Sequence, residues 1–353
     1  MGNHTETDWP ADAFSAVAHL GIKAHPHLLI IGAGPAGCAT ALRARQLGLS
    51  VTIVEAHRVP RPTPGETLHP GIEVIFEQLG IAGAVRNAGF HRHAGIWYES
   101  AGRREFAAYG SDETGPWLGF QAERIKLTQI LWDTVRDRGA ELILGHRVVS
   151  IGRGGDGNVL ETDQGIRFRT PWVVDSTGRS SWLANALGTA VDYVSAPKVV
   201  TYGWCRNARL PDTNPVFQTC IDGWYWQAPL ADGRVAWARL RNLVEHETTD
   251  RGAANSPESD KTLPGIDMTW RISQAVAGPG YFLTGDAAVL LDPSSSHGVL
   301  RAMMSGVLCA HVIGQVERRQ ISEANAARMY DDWLTGQFQH DVQQIRLMHA
   351  SPT

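Results

Sequence analysis

Residues Leu28 to Gly37 read Leu-Leu-Ile-Ile-Gly-Ala-Gly-Pro-Ala-Gly, and the reading of this stretch decides the fold. Four apolar residues of strand character run straight into a glycine turn. A helical stretch follows (CATALRARQLG, 38–48), then a second apolar strand, VTIV, that ends on Glu55. Strand, turn, helix and strand in this order form the βαβ unit that binds a dinucleotide. Gly32 permits the tight turn, Gly34 lets the backbone approach a pyrophosphate, and Gly37 lets the helix pack close to the strand. Pro35, which has no N–H to leave unpaired, opens the helix, and the free amides of Ala36 and Gly37 behind it face the phosphates. Glu55 lies roughly 20 residues beyond the turn, where an acid holds ribose hydroxyls.

Composition narrows the class. A chain of 353 residues can bury one large core shared by two or three structural units. Its net charge of −4 offers no basic surface for a phosphate backbone, so nucleic acid is not an expected partner. The sequence reads as having no apolar run near the roughly 18 residues of a membrane span, and the N-terminus lacks a basic-then-apolar signal pattern. It starts Met-Gly, but Glu6 stands where a myristoylation signal wants Ser or Thr. Asn3-His4-Thr5 matches a glycosylation sequon and is read as chance. The cysteines, at 38, 205, 220 and 309, form no CxxC pair, which argues against a zinc site and a disulfide framework. A reducing, cytoplasmic compartment is the expectation. Tryptophan is frequent (12 residues), and several fall in the region assigned below to the substrate, pointing to an aromatic-lined cavity.

Along the chain, 1–25 reads as a loose N-terminal arm. The Pro-rich stretch 59–71 is neither regular helix nor central strand and leads into an amphipathic helix over 72–88. Residues 90–120 read as strands, with a Gly turn in ESAGRREF. A long helix covers 123–139, followed by the strands ELIL and HRVVSIG, a turn at Asp156-Gly157-Asn158, and the buried strand WVVDSTG. Residues 197–245 are rich in β-branched and aromatic residues and read as an antiparallel sheet. The stretch 245–262 has no periodicity and reads as a mobile loop. Helices start near Gly298 and near 321. No internal repeat is visible.

Several motifs then fall in one order. GET at 65–67 is followed by Pro70. Arg124 opens the long helix, VVDSTGR lies at 173–179, and GDAAVLLDPSSSHGV lies at 285–299. With the dinucleotide unit, this set resembles the FAD-dependent monooxygenases of the para-hydroxybenzoate hydroxylase fold, and more closely their flavin-dependent halogenase branch. The resemblance spans about 27–320. It implies an α/β fold: a Rossmann-like FAD-binding domain from 27–88, 121–190 and 272–320, an interleaved, mostly antiparallel β-sheet substrate domain from 89–120 and 191–271, and a C-terminal helix in 321–353. It also implies that Asp286 accepts hydrogen bonds from the ribityl chain. The helix start at Gly298, Val299 and Leu300 would aim amides at the flavin edge. Arg124, Ala56, Thr67, Val148, Gly285 and Pro293 would be further FAD contacts, and the Asp175 region would pack beneath the cofactor. No metal is implied.

Gly223-Trp224-Tyr225-Trp226-Gln227-Ala228-Pro229 is similar to the WxWxIP signature of the halogenases, with Ala228 in place of Ile. There, bulky rings separate flavin from substrate. Halogenases also carry a lysine that holds hypohalous acid. Here no lysine occurs between Lys23 and Lys126, and by register His93 takes its place. Imidazole is not a permanently protonated ammonium. A third group keeps these motifs without needing the lysine: the flavoproteins that mature tryptophylquinone cofactors of amino-acid oxidases. DPSSSHGVLRAMMSG is most similar to that group. This resemblance implies an oxygenase that hydroxylates a tryptophan of a precursor protein with FAD and molecular oxygen, Trp224 and Trp226 lining the substrate. His297, His93 and His69 are the candidate bases. With no second GxGxxG, a reduced nicotinamide docks transiently or a flavin reductase supplies electrons. The precursor of a quinone-cofactor oxidase is the expected partner. The alternatives are a halogenase or hydroxylase of a small aromatic molecule, a geranylgeranyl-reductase-like flavin reductase, and an FAD-binding chaperone.

Overall fold

The computed structural model describes residues 25–62, 66–154, 157–206, 210–243, 261–262 and 265–350. The expected N-terminal arm, Gly65 of the GET motif, Asp156 and nearly all of 245–262 lie outside these residues. Lys261–Thr262, read as loop, pairs as a short strand with Gly203–Trp204. The helices are α1 (Pro35–Gln46), α2 (Glu73–Leu79), α3 (Ala82–Arg86), α4 (Arg124–Asp137), α5 (Trp182–Ala186), α6 (Gly298–Glu317) and α7 (Glu323–Ala350).

Among the described residues, six strands form the first sheet, in the order 141–144, 51–55, 28–31, 172–175, 281–283 and 277–278. The first five run parallel and the last is an antiparallel edge. Leu28–Ile31 is buried throughout, as an unbroken apolar run in a doubly covered parallel sheet must be. A second sheet runs 261–262, 198–205, 235–242, 223–229, 216–220, 95–100 and 103–108. It is antiparallel except where 216–220 meets 95–100. Residue alternation gives it two faces. One carries Ile96, Val200, Tyr202, Phe217, Trp224 and Leu240. The other carries Cys205, Tyr225, Val235 and Trp237.

In the Pro-rich stretch, Glu66–Leu68 forms a strand on the edge of a small sheet with 119–122 and 91–93, in keeping with the exclusion of a central strand. Two expectations need correction. The helix read over 72–88 is two helices, because Gly80 adopts φ 73°, a left-handed cap that ends α2. Finally, α6 is long and apolar enough to cross a membrane by length and composition, contrary to the sequence reading. More than half of that stretch is buried inside the fold, against α1. The apolar face is therefore accounted for by packing within the chain.

Contact between α1 and α6 is made at backbone distance. A Cβ added to Gly306 would stand 2.4 Å from the Ala36 carbonyl oxygen and 2.7 Å from Thr40 Oγ1. The nearest obstacle is main chain and cannot rotate away. Gly306→Ala is therefore expected to lower the unfolding free energy by at least about 2 kcal/mol. Urea denaturation of the purified variant measures this directly.

Candidate FAD and substrate site

The nucleotide turn is fixed on one side and open on the other. Gly32 has φ 101°, and a Cβ there would sit 2.5 Å from the Ser176 carbonyl oxygen. A Cβ on Gly37 would sit 2.0 Å from the Gly32 carbonyl oxygen. At Gly34 an added Cβ meets nothing within 4 Å. Gly34 is also the N-cap of α1, with Pro35 next and no side chain capping the helix. The start of α1 thus presents amides to open space, which suits a phosphate.

Glu55 closes the turn from the end of its strand. Its Oε2 accepts the Ala33 amide (2.8 Å). Its Oε1 accepts the His57 amide (2.9 Å) and meets His57 Nδ1 at 2.7 Å. Each carboxylate oxygen accepts more than one hydrogen bond, so ribose hydroxyls can still be held there. Ala56 follows, half-buried. His57 is a participant that the sequence reading missed.

The 285–287 turn completes the cleft. Gly285 has φ 57°, and a Cβ there would stand 3.0 Å from Ala36 Cβ of α1 and 3.3 Å from Ala302 Cβ of α6. Asp286 is accessible at its surface while protein atoms surround it, as a residue lining a cleft must be. Burial raises its pKa, and the charges of Arg124, Arg301, Arg179 and Arg271 lower it. Four guanidiniums acting on one accessible carboxylate make a cleft suited to an anion that also brings hydroxyl donors. At α6, His297 is the N-cap, no side chain caps the helix, and a Cβ on Gly298 would meet nothing within 4 Å. Open glycine cradles, two uncapped helix starts and the accessible Asp286 fit an FAD molecule.

The remaining cofactor candidates divide. Arg124 is ion-paired with Glu66, which ties α4 to the GET strand. The Thr67 hydroxyl donates to Gln121 Oε1 (2.8 Å) inside the core, so its proton is engaged and its lone pairs and main chain are what it can offer a cofactor. Val148 and Val299 are buried at 2% and 4% exposure, so their side chains serve the core and only main chain remains for a ligand. Leu300 packs partly against the same core, and Pro293 is exposed. Asp175 is fully buried, and its carboxylate accepts the Thr177 (2.8 Å) and Leu183 (2.7 Å) amides. It shapes the 175–183 loop, against whose Ser176 carbonyl Gly32 packs.

The structure brings the three candidate histidines together around Tyr109, a residue the sequence reading did not single out. The His69 ring lies 4.7 Å from Tyr109 and 5.8 Å from His297; His93 lies 5.5 Å from Tyr109. His69 Nδ1 accepts the Gly71 amide (3.1 Å). Its neutral ring therefore carries the proton on Nε2 and has no free lone pair. This removes His69 as a base, contrary to expectation, and leaves it as a donor. Burial pushes His93 down to about 4, against the opposing pull of the Gly95 and Phe120 carbonyls. His93 Nδ1 lies 3.2 Å from the Gly95 carbonyl oxygen, and its Nε2 is buried with no hydrogen-bond partner among the described residues. Burial also lowers His297, as do Arg301 and His69, while Asp341 opposes them. His297 is thus a neutral imidazole at the start of α6, available as a base.

Beyond the histidines stands the aromatic face of the second sheet. Trp224 is 3% exposed, and its indole N–H donates to Asp292 Oδ1 (2.9 Å). Trp226, Tyr98, Tyr109 and Trp204 pack on the same cluster. Among the described residues no cluster of His, Cys, Asp and Glu is able to hold a metal.

The fold and this cleft define an FAD-dependent oxidoreductase. The chain belongs to the FAD binding domain family, whose model matches residues 26–325. It is similar to tryptophan 2-halogenase of Chondromyces crocatus, 27% identical over 346 residues that cover 88% of this chain and 65% of that protein. This chain therefore spans less than two thirds of that relative's length. Its fold matches that of the flavin-dependent brominase Bmp2 (TM-score 0.80, 22% identity, 93% of this chain and 88% of that one). It also matches the peptidyl tryptophan dihydroxylase QhpG, essential for tryptophylquinone cofactor biogenesis (TM-score 0.71, 22% identity, 89% and 72%). The chain thus shares its fold with flavin-dependent halogenases.

Two outcomes follow from this geometry. Gly34→Val places side-chain atoms in the open cradle, where an added Cβ meets nothing within 4 Å. It is expected to leave the melting temperature of the FAD-free protein unchanged and to weaken FAD binding at least about a hundredfold, roughly 2.7 kcal/mol, as read by flavin fluorescence titration. The second concerns pH. His93 falls from 6.5 to about 4 on folding, so the unfolded chain binds more protons between those values. Stability is complete above pH 6.5 and declines as pH drops towards 4, with His69 and His297 acting in the same direction. Denaturation midpoints over this range should show the decline, and His93→Gln should make it shallower.

Proposed function

We propose that this protein is an FAD-dependent monooxygenase that hydroxylates an electron-rich aromatic ring, namely the indole of a tryptophan in a precursor protein for a quinone-cofactor oxidase. One observation carries the reading. A wall of indole and phenol rings is fastened through Trp224 and Asp292 to the turn that leads into the helix start at the cofactor cleft; in the sequence register, His93 stands where the resemblance to halogenases places a lysine. When bound and reduced, FAD supplies the two electrons that let one atom of oxygen enter the ring while the other leaves as water.

The chain's own groups do the rest. Trp224 and Trp226 pack against the substrate ring and keep water from the cleft. Neutral His297 accepts the proton that the ring loses. His69 accepts the Gly71 amide through Nδ1, which leaves its Nε2–H as a donor for the substrate. Reduced nicotinamide docking transiently, or a separate flavin reductase, is the electron source in this reading, and the compartment is the cytoplasm. The second reading is halogenation of a small aromatic molecule. The similarity to a tryptophan 2-halogenase favours it, and the missing lysine stands against it.

The test uses the FAD-loaded, reduced protein, isotopically heavy oxygen, and a tryptophan-bearing peptide or free tryptophan, each with and without bromide. The expected product is the peptide carrying one heavy oxygen atom per hydroxylation, in equal yield with and without bromide. A brominated product, or a requirement for halide, would overturn the reading in favour of halogenation. Trp224→Ala is expected to cut the yield at least about tenfold, or about 1.4 kcal/mol.

A further inference from the structure

Asp292 is a side chain that links the aromatic sheet to the cofactor half, and it takes no part in the chemistry proposed for the ring. It is 0% exposed. Its Oδ1 accepts two hydrogen bonds, one from the Trp224 indole nitrogen (2.9 Å) and one from the Ser294 amide (3.0 Å). The first crosses from the aromatic sheet. The second caps the short turn Pro293–Ser295 that delivers the chain to His297 and the start of α6. Its Oδ2 is buried with no hydrogen-bond partner among the described residues. A buried carboxylate of this kind is costly unless an opposing charge lies near. Lys198 supplies one. It is 8% exposed, its charge acts on Asp292, and its ammonium is held by Asn242 on the neighbouring strand and by the Trp270 ring 5.1 Å away. Lys198 and Asn242 are paired across the same sheet that carries Trp224.

The geometry points to Asp292 as a positioning residue that holds the amide-bearing start of α6 at a set distance from the aromatic wall, with Trp224 as its donor and Lys198 as its counter-charge. A single oxygen that takes one bond from the wall and one from the loop cannot keep both if either side shifts. Hydrogen bonds to a charged acceptor are also the stronger and more directional kind. The consequence is that FAD affinity depends on the Trp224 N–H, although that group belongs to the substrate wall. The relation is reciprocal, so bound FAD must be sensed at the Trp224 indole.

The test is a titration of the FAD-free full chain with FAD, followed by flavin fluorescence and by the indole region of the nitrogen-15 spectrum. Trp224→Phe keeps a ring and removes the donor. Asp292→Ala removes the acceptor, and Asp292→Asn keeps an acceptor oxygen. Trp224→Phe and Asp292→Ala are each expected to weaken FAD binding about tenfold, with the double variant no weaker than either, as for two partners in one contact. Asp292→Asn should stay within about threefold of the parent. The indole resonance assigned to Trp224 by its loss in Trp224→Phe should move when FAD is added. Unchanged affinity in Trp224→Phe, losses that multiply to about a hundredfold in the double variant, or a Trp224 resonance indifferent to FAD overturns the assignment. If Asp292→Ala does not fold, Trp224→Phe, Asp292→Asn and the resonance decide it. None of these readouts requires turnover, so a failed hydroxylation assay leaves them intact.

Discussion

Backbone lying directly on backbone is the constraint on which this molecule depends. Gly37 sits on the Gly32 carbonyl, Gly32 on the Ser176 carbonyl, and Gly306 on the Ala36 carbonyl. No side chain intervenes, so α1 has one position relative to its strand, to the 175–177 loop and to α6. The start of α1 is thereby fixed beside the 285–287 turn, which itself touches Ala36 and Ala302. Packing at this density is unforgiving of even one added methyl group. Its return is that the uncapped helix start and Asp286 share one cleft with no flexible element between them.

The second sheet solves a different problem. It builds an apolar surface from Trp224, Trp226, Phe217, Tyr98 and Tyr202, and polar and ring contacts join it to the cofactor half. Trp224 to Asp292 is one, and the ring contacts of Tyr109 with His69 and His93 are another. Burial keeps the imidazoles neutral at this border, while the charges of Arg124, Arg179, Arg271 and Arg301 act on Asp286. Charge is thus concentrated around Asp286, and neutral rings line the border where an aromatic ring belongs. That separation suits chemistry in which an electron-rich ring must reach an activated oxygen atom without competition from water.

Much of the cofactor half is legible in the amino-acid sequence alone. LLIIGAGPAG with Glu55 carries its meaning locally, because strand, turn and helix are contiguous in the chain. The ordered motifs at 173–179 and 285–299 add the family. What stays hidden lies in contacts between distant residues. Asp292 and Trp224 are 68 positions apart, and nothing in DPSSS announces an indole partner. Tyr109 carries no motif, and only the fold places it between two histidines. The tautomer of His69 depends on one amide two residues away, yet it reverses the role that sequence assigns to that ring. Only the fold shows that the Thr67 hydroxyl donates to Gln121, 54 positions away. The apolar length of α6 is easily underestimated because glycine, serine and histidine interrupt it.

For an aromatic ring to be oxygenated here, the cofactor cleft and the aromatic wall must be two sides of one site. The most direct measurement is a titration of indole into the FAD-loaded protein, followed in the visible absorption bands of the flavin. A saturable change in those bands at one indole per protein is the result predicted, because the ring must seat between the wall and the flavin. Tight FAD binding with flavin bands that do not respond to indole would contradict it.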